Sequence, residues 1–140
     1  MNNSMKKLSI VFVLTAALVG TCARAQIVIA NNNVKATDIS KSDLREVFTG
    51  GSASLAGSHV TPVLLKSGPT HAAFLAEYVG KTDAALGATW RSLVFSGQAS
   101  TPKVVDSDAA MVEFVARTPG AIGYIAKTSA HEGVKILAVR

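Results

Sequence analysis

The residues best suited to chemistry form a polar turn, Lys66-Ser67-Gly68-Pro69-Thr70-His71, between an apolar run and a helix-like run. A strand that leads through such a turn into a helix leaves free backbone N–H groups at the helix start. These groups and the helix dipole favour a bound anion. The side chains suit that ligand, because they offer hydroxyl donors, positive charge and a glycine that lets the backbone come close. The candidate ligand-binding residues are Lys66, Ser67, Gly68, Thr70 and His71.

The same turn also has a simpler interpretation. Ser67 or Thr70 caps the helix with its hydroxyl, and Pro69 begins the helix at a position where its missing N–H breaks no hydrogen bond. Both hypotheses fit the residues, and they differ in where the two hydroxyl groups point.

The other reactive residues do not combine into a catalytic or metal site. Ser100 and Lys103 have the Ser-x-x-Lys spacing of some acylating enzymes, but a proline stands between them and the partner motifs of those enzymes are missing. The histidines, His59, His71 and His131, are too dispersed for a metal set, and no glycine-rich phosphate loop is present. We therefore expect no enzyme, no metal centre and no cofactor.

Residues 1–25 have the three-part pattern of a secretory signal peptide. Two lysines precede an apolar stretch of about 13 residues, which is short for a membrane span. Ala23-Arg24-Ala25 has the small residues of a cleavage site, so the pattern predicts cleavage after Ala25 and a periplasmic protein formed by residues 26–140. An alternative is lipid attachment at Cys22, which ends a loose lipoprotein box.

Composition predicts one domain over residues 26–140. The whole chain has 140 residues, 49% of them hydrophobic, and a net charge of +5. Residues 1–25 hold three basic residues and no acidic one, so the remainder carries a net charge of about +2. Its basic residues are scattered, which argues against a nucleic-acid partner. Cys22 is the single cysteine, so packing alone must stabilise the domain.

Hydrophobic spacing predicts strands separated by helices. The predicted strands are 26–30, 59–65, 104–105, 121–126 and 134–139, and the predicted helices follow the cap at Ser40, the turn at 66–71, residue 84 and the cap at 106–108. Pro62 predicts that the second strand lies at a sheet edge or is irregular, residues 50–58 predict a flexible loop, and Pro119-Gly120 end the last helix. Trp90 and Phe95 are interpreted as core residues. This alternation implies a parallel or mixed sheet covered on both faces.

Five stretches of the chain form a recognisable series. They are Glu46-Val47-Phe48-Thr49-Gly50, Val60-Thr61-Pro62-Val63, Gly68-Pro69 with Phe74, Trp90 to Gly97, and Val115 to Tyr124. In this order and spacing they resemble the phosphate-type periplasmic solute-binding proteins of ABC transporters, and most closely the short, single-lobe members with a PBP-like domain. The resemblance implies an α/β fold, namely a single lobe of the type 2 periplasmic-binding-protein fold. Its sheet would be mixed and mostly parallel, with helices on both faces.

The resemblance also implies a ligand and partners. In the full-length proteins the oxyanion lies between two lobes and is held by helix N-termini, hydroxyl groups and an arginine. Ser67-Gly68-Pro69-Thr70 then corresponds to the Ser-Gly-Thr turn that contacts phosphate, with Lys66 as the nearest upstream cation. His71 stands where short relatives tend to carry arginine. The implied ligand is phosphate or a related oxyanion, and the implied partners are a transporter permease or, by dimerisation, a second lobe.

Two functions remain open at this point. The first is a periplasmic oxyanion-binding module linked to an ABC transporter. The second is a degenerate lobe that acts in the periplasm as a protein-interaction or regulatory module without a ligand.

Overall fold

A mixed six-stranded sheet organises residues 26–140, the part of the chain that the computed structural model describes. The signal-peptide, cleavage-site and Cys22 predictions lie outside the described residues. The strands are β1 (Gln26–Ala30), β2 (Asp38–Ile39), β3 (Ser54–Leu55), β4 (Ser58–His59), β5 (Thr61–Leu65), β6 (Lys103–Val105), β7 (Ala121–Ala126) and β8 (Lys135–Val139). The sheet order is β2-β8-β1-β7-β5-β6, and β3 and β4 form a separate hairpin. Three of the five sheet pairings are parallel, so the sheet is mixed and mostly parallel, as expected.

Four helices connect the strands. They are α1 (Lys41–Thr49), α2 (Pro69–Phe74), α3 (Asp83–Phe95) and α4 (Asp108–Arg117). The end of α2 continues into a π-helical turn, Leu75–Val79. Ser40 and Ser107 accept hydrogen bonds from the backbone three residues later, at 3.0 and 3.1 Å, which confirms both predicted caps. No helix within residues 26–140 has the length and apolar character needed to cross a membrane.

Helices cover both faces of the sheet. Successive residues of β7 point to opposite sides and contact different helices. Gly123 faces Met111 of α4, whose Sδ would lie only 2.5 Å from a Cβ at this position. Tyr124 faces the other way and stacks on Phe74 of α2, with ring centroids 3.7 Å apart. Phe48 of α1 packs edge-on against Phe74 at 5.0 Å. This aromatic cluster fixes α2 against the sheet.

Pro62 lies in an internal strand, so the predicted edge position is wrong. β5 lies between β7 and β6. Thr61 donates its N–H to Gly120 O on the β7 side, at 2.8 Å, so the nitrogen of the next residue faces β6. Pairing with β6 begins only at Val63. The proline therefore breaks no ladder hydrogen bond.

The structure refines one expectation for residues 50–95 and contradicts another. The predicted flexible loop contains the β3–β4 hairpin, in which Ser54 pairs with His59. Trp90 is buried and donates its Nε1–H to Phe48 O at 2.9 Å, as a core residue should. Phe95 is 97% exposed, because five residues rotate its side chain by roughly 140° around α3 from Trp90.

Candidate functional site

The candidate turn lies at the carboxyl end of β5. Because β5 is parallel to β6 and β7, the carboxyl ends of three strands meet at this edge of the sheet. Ligands of open α/β sheets bind in crevices at such an edge. Lys66 donates its N–H to Val105 O at 2.8 Å, which extends the β5–β6 pairing to the first residue of the turn. The sheet therefore fixes where the turn begins, while residues 66–69 stay exposed.

The first turn of α2 has no side-chain cap. Gly68 is the N-cap residue, and neither Ser67 nor Thr70 bonds its hydroxyl to the helix backbone. The first helical N–H with a partner is that of Ala72, which donates to Gly68 O at 2.9 Å. The N–H groups of Thr70 and His71 have no partner within residues 26–140. The capping hypothesis is therefore right about the proline and wrong about the hydroxyl, and two N–H groups stay available to a ligand.

Ser67 bonds across to α3 instead. Its hydroxyl donates to Asp83 Oδ2 at 2.7 Å. Asp83 is the first residue of α3 and follows the N-cap Thr82. Hydrogen bonds from Ser67 and then from His71 hold the pKa of Asp83 below its ordinary value of 3.8. An ionised carboxylate therefore stands beside the start of α2 at neutral pH.

His71 is buried, with 3% of its surface exposed, and both ring nitrogens are engaged. Nε2 lies 2.9 Å from Asp83 Oδ1, and Nδ1 is in hydrogen-bond contact with the Tyr124 hydroxyl. The Tyr124 oxygen also accepts the N–H of Leu65 at 3.0 Å. A carboxylate only accepts, so the arrangement that satisfies every group has Nε2–H donating to Asp83 and Nδ1 accepting from Tyr124. The ring is therefore an internal link between β7 and α3, and its nitrogens are not free for a ligand.

The five candidate residues do not all line one cavity. Ser67, Gly68 and His71 line a cavity of about 550 Å³, together with Asp83 and one face of α2. Lys66 lines a different depression, beside Lys103, Glu113 and Arg117. Thr70 lines neither, and its hydroxyl has no hydrogen-bond partner within residues 26–140.

Sequence reasoning missed Asp83 and Tyr124. They lie 12 and 53 residues from His71, and no motif joins them to the turn. A tyrosine in an otherwise apolar buried strand is a signal, because its buried hydroxyl needs an internal partner. The signal is weak, because the sequence does not show which residue that partner is.

An apolar groove lies beside the exposed Phe95. It has a volume of about 510 Å³ and runs between α3 and β6, which is an edge strand of the described sheet. Val104 of β6, which is 52% exposed, lines the groove together with Trp90 and Leu64. Within residues 26–140, no group of three or more His, Cys, Asp or Glu side chains is placed to hold a metal ion.

Solved structures share this fold over most of the described chain. A phosphate transport receptor of ABC type from Vibrio cholerae matches 82% of the chain with a TM-score of 0.65 and 19% identity. PstS from Borrelia burgdorferi matches 83% of the chain with a TM-score of 0.63 and 22% identity. The chain spans only 46% and 47% of those two proteins. At these identities the similarity establishes the fold, so the single-lobe fold implied by the sequence resemblance is confirmed.

No protein-family model matches the chain, and neither does any curated protein.

Proposed function

We propose that this chain is a solute-binding lobe of the periplasm that holds phosphate or a similar oxyanion and serves an ABC transporter. The observation that carries the proposal is the start of α2. At the carboxyl edge of the parallel strands, this helix start is flanked by exposed residues, and within residues 26–140 it has two unpaired backbone N–H groups and lacks a side-chain cap. A helix start of this kind attracts anions through its N–H groups and its dipole. The shared fold with a phosphate transport receptor supports the choice of ligand.

Each candidate residue has a definite role in the proposed site. Thr70 offers its hydroxyl and its N–H, and Ser67 offers a hydroxyl now bonded to Asp83. Gly68 lets the ligand approach the backbone, and Lys66 adds positive charge near the turn. His71 contributes its backbone N–H, since both nitrogens of its ring are already engaged.

Calorimetric titration of the secreted chain with phosphate and with sulfate tests this proposal. We expect weak, measurable phosphate binding that the double variant Ser67→Ala/Thr70→Ala loses. The matched control is Ser100→Ala/Thr101→Ala, which removes the same two hydroxyls from a loop outside the site. No heat with either anion up to millimolar concentration, for monomer and dimer alike, would contradict an oxyanion function.

The location has its own test. Mass spectrometry of the chain recovered from the periplasmic fraction should give Gln26 as the first residue, as cleavage after Ala25 requires. A lipidated chain beginning at Cys22 would replace cleavage by lipid anchoring, and an intact Met1 in the cytoplasm would overturn the proposed location.

A second candidate function rests on the groove at Phe95. Phe95 is exposed beside an apolar groove and next to β6, an edge strand of the described sheet. Such a surface suits a protein-interaction module. In that case a photo-crosslinking amino acid at position 95 should trap an envelope protein in living cells. Ser67→Ala/Thr70→Ala should leave the adduct unchanged, and the chain should show no heat with phosphate. A phosphate response together with no adduct would reject this alternative.

A further inference from the structure

Asp83 is the first residue of α3, yet its side chain crosses to the beginning of α2. Its two carboxylate oxygens accept hydrogen bonds from Ser67 Oγ at 2.7 Å and from His71 Nε2 at 2.9 Å. The side chain is 60% exposed, so the carboxylate lies at the surface of the turn and not in the core. Ser67 Oγ is a donor of the proposed oxyanion site, whereas the ring of His71 is a fixed part of the protein that positions the carboxylate.

The carboxylate is held there by more than one feature. The buried Tyr124 hydroxyl contacts His71 Nδ1 and thereby orients the ring toward Asp83. Thr82 caps α3, accepting the Ala85 N–H at 3.1 Å, and this fixes the backbone that carries the carboxylate. The lowered pKa of Asp83 agrees with a carboxylate that stays ionised in this position.

One oxygen of this carboxylate uses the Ser67 hydroxyl in the way that a bound oxyanion would use it. An external anion at the same turn would meet a resident negative charge a few ångströms away and would find the Ser67 hydroxyl already engaged. We propose that the Asp83 carboxylate is an internal occupant of one donor of the oxyanion site, the Ser67 hydroxyl, that the ligand must displace or tolerate it, and that it thereby limits the affinity of the lobe. This inference rests on the proposed function.

A purely structural role would have a different signature. Acidic residues in the first turn of a helix stabilise it through the dipole, and Asp43 of α1 is such a residue. Asp43 makes no side-chain hydrogen bond within residues 26–140, and it lies in a helix that does not contribute to the turn. Asp43→Asn is therefore the matched control for loss of one negative charge at a helix start.

The test compares phosphate titrations of the secreted chain, Asp83→Asn, Asp43→Asn and the triple variant Asp83→Asn/Ser67→Ala/Thr70→Ala. We expect Asp83→Asn to bind inorganic phosphate roughly tenfold more tightly than the unmodified chain. Asp43→Asn should bind like the unmodified chain, and the triple variant should lose the gain. Fluorescence of Trp90, the single tryptophan, reports whether each variant folds. If Asp83→Asn does not fold, Asp83→Ser takes its place, since a short hydroxyl side chain suits a helix start.

The outcomes separate the two proposals. Equal affinity in the unmodified chain and Asp83→Asn, or weaker binding in the variant, overturns the internal occupant while the oxyanion function stands. Tighter binding by Asp43→Asn as well shows a general charge effect and overturns it too. No phosphate binding by any of the proteins rejects the oxyanion function and, with it, the internal occupant.

Discussion

At the scale of single residues, the buried Tyr124 hydroxyl should contribute measurably to stability. It accepts the Leu65 N–H at 3.0 Å and contacts His71 Nδ1, and both groups are buried. Tyr124→Phe keeps the stacking on Phe74 and leaves a backbone N–H and an imidazole nitrogen unpaired, so we expect it to lower the free energy of unfolding by about 1–3 kcal/mol. Urea unfolding followed by Trp90 fluorescence measures the loss.

The pH profile of the same variant gives an independent check. Burial raises the pKa of Tyr124 above its ordinary value of 10.0, so above that pH the unfolded chain loses the proton while the folded chain keeps it. The free energy of unfolding should therefore fall as the pH rises past about 10. In Tyr124→Phe it should fall less steeply, by up to about 1.4 kcal/mol per pH unit. Parallel curves for both proteins would contradict a buried, protonated hydroxyl.

Asn31 supports a second residue-scale prediction. Its Nδ2 donates to Val115 O at 2.8 Å and to Ala116 O at 3.1 Å, and its Oδ1 accepts the Asn33 N–H at 3.0 Å. Asn31→Ala leaves carbonyls at the end of α4 unpaired and should cost about 2–3 kcal/mol. Asn32→Ala is the matched control, because the neighbouring asparagine is exposed and should cost under about 1 kcal/mol. Similar losses in both variants would show that the buried bonds contribute little.

Local chemistry predicted the candidate turn, and tertiary contact decides what its side chains do. A strand followed by Ser-Gly-Pro-Thr is visible in sequence, and the structure does place it at a helix start. The partners of Ser67 and His71 come from α3 and β7, and no local pattern encodes which elements pack against the turn. Both ring nitrogens of His71 are engaged, so the predicted contribution of this residue to ligand binding stays a prediction for its backbone N–H alone.

At the scale of elements, Pro119-Gly120 acts as the joint between α4 and β7. Gly120 has φ +78°, and a Cβ there would lie 2.8 Å from the backbone oxygen of His59. Gly97 also has a positive φ, +76°, but a Cβ there would meet nothing within 4 Å. Gly97→Ala should therefore cost only the conformational strain, about 1–2 kcal/mol.

Gly120→Ala should cost roughly 3 kcal/mol or more, because the clash with His59 O adds to the same strain. Urea unfolding of both variants measures the difference. Equal losses would show that the β4–β5 segment moves aside and that the close approach is not required.

Elements were predictable where the signal was local. The caps at Ser40 and Ser107 were found because a hydroxyl three residues before its N–H partner is a sequence pattern. Pro62 was misplaced because the order of strands in a sheet is set by pairing with distant segments. The nitrogen of this proline faces β6 at a position before the β5–β6 pairing begins, so an internal strand tolerates it. Phe95 was misplaced because apolar character alone does not show which side of α3 is covered.

At the scale of the whole molecule, the chain shares its fold with about half of each longer protein that it matches. It spans 46% of the Vibrio cholerae receptor, so in our proposal nothing from this lobe covers the far side of the anion. Contacts to an anion that stays partly in water are screened, and each is worth under about 1 kcal/mol. A lone lobe should therefore bind phosphate weakly, and Asp83 should weaken it further.

A second copy of the lobe would enclose the anion, and this leads to a prediction about assembly. If two copies share one phosphate, ligand binding and dimerisation are linked, so phosphate must favour the dimer as much as the dimer favours phosphate. We expect sedimentation velocity to show a shift from monomer toward dimer at millimolar phosphate, and apparent affinity to rise with protein concentration. Ser67→Ala/Thr70→Ala should stay monomeric under the same conditions. A monomer at every phosphate concentration, with an affinity independent of protein concentration, would show that the lobe binds alone or that another protein completes the cleft.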